Sequence, residues 1–101
     1  MRFLTLATVA AMALTLTPAH AGQEEDCQMQ ADIVNRAVEL RLDRTREKKA
    51  LEIMTSGEDE AVAEKYLAAV PYLVDWVYNT LKRKELKDDP GAAYFTTCMS
   101  Q

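Results

Sequence analysis

The side chains here with chemistry to offer are two cysteines, one histidine and two aromatic residues one helical turn apart. Cys27 and Cys98 are the only cysteines in 101 residues. A redox pair would want Cys-X-X-Cys spacing and a neighbour that lowers the thiol pKa. Here the spacing is long, and Glu24, Glu25 and Asp26 act in the opposite sense. The expected chemistry is therefore a single structural disulfide, the only pairing two cysteines allow. It would enclose residues 28–97, nearly the whole fold, and the chain-entropy argument puts its stabilisation at about 4 kcal/mol. The histidine, His20, lies in a leading segment expected to be removed, so neither a Ser-His nor a Cys-His relay is available. Carboxylate pairs such as Glu60 and Glu64 are ordinary on a solvated helix. The stretch from Ser56 to Tyr66 lacks the alternating acids and central glycine of a calcium loop. No enzyme activity, cofactor or metal is expected.

Tyr72 and Trp76 are the candidate contact for a partner. Aromatic rings bury large areas in a small core, and Trp and Tyr also anchor protein–protein contacts. Both readings stay open: packing under the first or last helix, or an exposed docking patch. Two basic clusters are present, Arg41, Arg44, Arg46, Lys48 and Lys49, then Lys82, Arg83, Lys84 and Lys87. With no aromatics interleaved and a net-acidic chain, they do not suit nucleic acid. They read as solvated faces, paired with acids such as Glu47, Glu52 and Glu85, with contact to anionic lipid or a polyanion as the other reading.

These residues are set in a chain that begins like an export signal. Arg2 supplies a positive start, residues 3–17 are uncharged and apolar, and Pro18-Ala-His-Ala21 places small residues where a signal peptidase reads. The apolar run is short of the roughly 20 residues that span a bilayer. Cleavage is expected after Ala21, leaving 22–101 as one helical domain with no membrane-spanning segment. Gln-Glu-Glu-Asp before Cys27 excludes a lipidation site. Of the 12 Lys/Arg only Arg2 lies in 1–21, so residues 22–101 carry 11 against all 16 Asp/Glu. A periplasmic location fits the signal, with release outside the cell as the other outcome.

Between the cysteines every segment reads helical, and no run alternates with period two. Ala31, Val34 and Val38, with Ile33, Ala37 and Leu40, form one broad apolar stripe. At 43–45 the helix either runs on to Met54 or turns a corner with Thr45 capping a new helix. The corner is favoured, because a 30-residue helix is long for an 80-residue domain. Ser56 and Asp59 have cap-and-N3 spacing, and residues 58–60 load a helix start with negative charge. Pro71 either kinks one long helix or begins a new one. From Tyr72 the helix is expected to reach about Arg83, with Leu73, Val74, Val77, Tyr78 and Leu81 on its apolar face. Asp89-Pro90 reads as a cap and first-turn proline before a last helix. The fold class is all-α, a compact bundle of four to five short helices closed by one N-to-C-terminal disulfide.

Cys27, Ala31, Arg41, Thr45, Val77, Tyr78 and Cys98 together resemble a class of small exported bacterial helical proteins of unknown function. That class has an early Cys, a helix ending in an Arg-x-x-Gly-x-Ser-type corner, a late aliphatic-Tyr helix and a final Cys. Asp43 or Arg44 stands where the class places its corner glycine. The resemblance implies fold and compartment and carries no activity. In size, helicity and single disulfide the chain is also similar to periplasmic acid-stress chaperones. The expected role is a non-enzymatic exported protein acting on another periplasmic or extracellular protein, with an acid- or envelope-stress chaperone as the alternative.

Overall fold

The computed structural model describes residues 3–101, with side chains from Gly22 onward; the expected signal segment 1–21, with His20 and the cleavage point after Ala21, lies outside the residues whose side chains are described. Among the described residues the fold has four α-helices: α1 (Phe3–Leu42), α2 (Glu47–Met54), α3 (Val70–Asp75) and α4 (Pro90–Met99). Among the described residues there is no strand, and the chain is all-α as its patterning implies. A 3-10 turn over Glu64–Ala69 leads into α3, a π-helical turn over Trp76–Thr80 continues it, and a second 3-10 turn spans Arg83–Lys87.

The ties between elements fix their directions. Gln23 donates to the carbonyls of Met99 and Gln101, Cys27 is bonded to Cys98, and Tyr94 donates to Gln30 at 2.6 Å. Rising numbers on α1 meet falling numbers on α4, so the two helices are antiparallel. A Cβ at Gly91 would meet the side-chain amide of Asn35 on α1, which places the start of α4 against that helix. Lys65 meets Asp26 and Arg41 meets Leu81, so the segment 64–80 runs parallel to α1. Between these elements lies the core. Ile33, Val34 and Ala37 of α1 and Val70, Val74 and Val77 are fully buried, with Met54 of α2. The apolar stripe read from α1 is thus its buried face. Each of these side chains larger than Ala37 contributes roughly 1.5–3 kcal/mol on leaving water.

α1 ends in a corner at 43–45, and the cause is a Schellman arrangement. Thr45 N–H reaches the carbonyl of Leu40 at 2.9 Å and Arg44 N–H that of Arg41 at 3.0 Å. Arg44 takes the left-handed conformation this requires, at φ 65°. Thr45 does not cap α2, however. Arg46 occupies that position without a side-chain cap, and the Thr45 carbonyl accepts from Tyr78 Oη at 2.7 Å.

Two further expectations are corrected. No helix starts at Ser56. Its Oγ donates to the Ile53 carbonyl and accepts from Glu58 N–H, while Asp59 accepts from Ala61 N–H and from Arg36. With both caps engaged locally, 58–63 stays non-helical and helical structure resumes only at Glu64. Nor does the later helix reach Arg83. Leu81 N–H bonds back five residues to Trp76 at 3.1 Å, and Leu81 itself is extended. Lys82 therefore opens the next turn, its N–H held by the Glu85 carboxylate at 2.7 Å. Pro71 lies in the first turn of α3, where a missing N–H costs nothing, and the chain passes through it without a break. Asp89 caps α4 as expected, accepting from Ala92 N–H at 3.1 Å.

Candidate functional site

Tyr72 and Trp76 stand one turn apart on the outer side of α3 and its π-helical continuation, and their surroundings differ. Leu73, Val74 and Val77 take the core-facing positions of the same segment and are buried. That turns Tyr72 outward: it is 78 % exposed, against 42 % for Leu42, and these two are the exposed large apolar side chains among the described residues. Trp76 is half-buried. Its ring lies 6.3 Å from that of Tyr94, tilted by 54°, and its remaining surface borders the core. Tyr94 is in turn fixed to α1 through Gln30. Tyr72 is therefore a free ring beside an anchored one. Tyr94 does not stand out in the sequence by itself, but the cysteine pairing points to it. Four residues before Cys98, on a helix antiparallel to α1, it must fall near the residues just after Cys27.

The two cysteines are joined, with Cα atoms 5.7 Å apart, and no free thiol remains among the described residues. Cys27 is buried at the α1–α4 seam. An open groove of about 580 Å³ is lined by Asp32, Asn35, Arg36, Glu39, Asp59, Glu60 and Ala61. Arg36 crosses it, bonding Asp59 at 2.9 Å and also pairing with Glu39. The Asp59 carboxylate in front of it, followed by Glu39, holds the guanidinium more firmly protonated than usual. Arg36 is the one cation of the groove against four carboxylates, and no group of three or more potential metal ligands occurs among the described residues.

Structure brings together what the sequence left apart at the opposite end. Arg41 donates to the carbonyls of Val77 and Leu81, Tyr78 to that of Thr45, and Asn79 Nδ2 to the Glu47 carboxylate at 3.1 Å. The corner after α1 is thereby docked on the end of the π turn, and the two basic clusters share one end of the bundle. Arg41 is a half-buried strut rather than part of a solvated face. Burial raises the Tyr78 hydroxyl above its usual pKa, with Arg41 opposing and Glu47 adding to the rise.

No protein-family model, characterised protein or solved structure matches the chain. Among the described residues no helix is long and apolar enough to cross a membrane. Function has to be read from these surfaces.

Proposed function

We propose that this is an exported, non-catalytic helical protein that acts by binding another protein through the Tyr72 surface, with Trp76 as its anchored neighbour. The observation that carries this reading is the contrast in exposure. A tyrosine ring left 78 % exposed on a segment whose other apolar residues are packed is an unspent contact surface. A ring fixed beside it, as Trp76 is by Tyr94, lowers the ordering cost of docking there. The export-type leader and the disulfide support a periplasmic or extracellular setting. The test is capture of partners by the oxidised protein against its Tyr72→Ser variant. The reading expects a partner lost on substitution while helical content is unchanged; identical capture by both proteins would refute it.

A second reading, an acid-stress chaperone, is supported by one arrangement. Residues 58–69 are tied to α1 by the Asp26–Lys65 and Asp59–Arg36 pairs, at 2.8 and 2.9 Å, and Val62 is buried beneath them. Acid strong enough to protonate carboxylates in general removes such ties and leaves the 11 Lys/Arg of residues 22–101 to repel one another. Under this reading the protein at pH 2–3 binds an apolar dye and keeps a client in solution. A chain that stays folded and inert there excludes it.

A further inference from the structure

The charge of this protein is separated along its length. Segments 41–49 and 82–87 hold nine of the 11 Lys/Arg of residues 22–101, with only Asp43, Glu47 and Glu85 among them. The remainder carries two cations, Arg36 and Lys65, against the other 13 of the 16 acids. Both of those cations are already ion-paired, to Asp59 and Asp26. At the basic end only Lys49 has an ion-pair partner among the described residues, and every cation there except Arg41 is exposed.

Several of the exposed cations stand where folding does not call for them. Arg44 occupies a left-handed position that glycine would fill with less strain. Lys48 and Lys49 sit in the first turn of α2, the end where the helix dipole disfavours positive charge. Positions that break local rules without a structural return point to a binding role. Leu42, one of the two exposed large apolar side chains, emerges in the last turn of α1 within the same end.

We propose that this basic end is a docking surface for an anionic lipid bilayer, with the cations meeting headgroups and Leu42 entering the interface. An end-on cluster of exposed cations with an apolar side chain among them is what peripheral attachment requires. The excess acid over the rest of the protein orients that end toward a negative surface and keeps the other faces off it. It also sets lipid above an extended polyanion, which would have to track along acidic sides and finds no aromatic rings among these cations. Attachment this way leaves Tyr72, on another element, free for a partner.

The test is co-sedimentation of the oxidised protein recovered after export, its mass fixing where the chain begins. The probes are phosphatidylcholine vesicles with and without 30 % phosphatidylglycerol. Binding is expected only to the anionic vesicles, and is expected to disappear in 0.5 M salt as the charges are screened. Arg44→Gly should weaken it roughly fivefold and Arg44→Gly with Lys48→Gln roughly 25-fold, at about one cation's contribution each. Leu42→Ser should cost roughly fivefold while leaving the salt dependence intact. Because Arg44→Gly relieves backbone strain, a loss of binding in that variant is not a loss of fold. Three results overturn the proposal: equal binding to neutral vesicles, no binding to either kind, or binding to soluble polyphosphate that Leu42→Ser leaves unchanged. The last would make this end a polyanion site.

Discussion

The Arg41 guanidinium donates at 2.8 Å to the carbonyl of Leu81, forty residues away, and to that of Val77 as well. Those are carbonyls that the π-helical turn and its extended exit leave without helical partners. One charged side chain on α1 thus closes the end of the segment that carries Tyr72 and Trp76. A hydrogen bond from a charged donor contributes about 1.5–3 kcal/mol. Arg41→Met should therefore lower stability by about 2 kcal/mol, read from the urea midpoint, and loosen the 76–81 amides in hydrogen exchange. A substitution without effect on either would remove Arg41 as the strut.

The disulfide ties Cys27 on α1 to Cys98 on α4 across a small core. The double variant Cys27→Ala, Cys98→Ala should lose about 4 kcal/mol. Because α4 buries little beyond Pro90 and Gly91, its loss should come first, seen as early exchange of the 90–99 amides.

Arg44 sits at φ 65° in the turn that closes α1. Arg44→Gly should raise stability by about 1 kcal/mol. In a domain of this size that is roughly 4–8 °C in Tm by calorimetry. An unchanged or lower Tm would show that the side chain contributes more at this corner than its backbone costs.

Stability should fall at both extremes of pH, for opposite reasons. The Lys65 ammonium, followed by Tyr66, holds the Asp26 carboxyl below its ordinary value. A carboxyl depressed in the folded state stabilises above its unfolded pKa of about 4, and that stabilisation is lost as pH falls through the lower folded value. Urea midpoints of the parent and Lys65→Gln should differ at pH 6 and converge in acid. Tyr78 behaves inversely. Its hydroxyl is raised by burial, so stability is full below pH 10 and declines as pH climbs from there toward the folded value. Tyr78→Phe should flatten that alkaline limb and cost about 1 kcal/mol at neutral pH through the lost bond to Thr45.

Much of this was legible in the residues. The stripe from Ala31 to Leu40, the cysteine pairing, the Asp89-Pro90 start and the corner at 43–45 rest on local patterns that tertiary packing reinforces. The errors fall where a side chain is recruited from elsewhere. Asp59 has the spacing of a helix cap, but Arg36 and Ala61 N–H claim it, and no local pattern predicts a partner 23 positions away. Likewise the helix expected to reach Arg83 stops at Thr80, where Arg41 takes up the freed carbonyls. Tyr72 and Trp76 share a face by spacing alone, yet their different exposures are set by Tyr94, which only the fold brings to one of them.

The central claim, that Tyr72 is a contact for a protein partner, is tested most directly by a photo-crosslinking side chain at position 72 of the oxidised protein in its host. Position 52, exposed on α2, serves as the control. The account predicts one dominant protein adduct from position 72 that is absent from position 52. No adduct, or the same adducts from both positions, would contradict it.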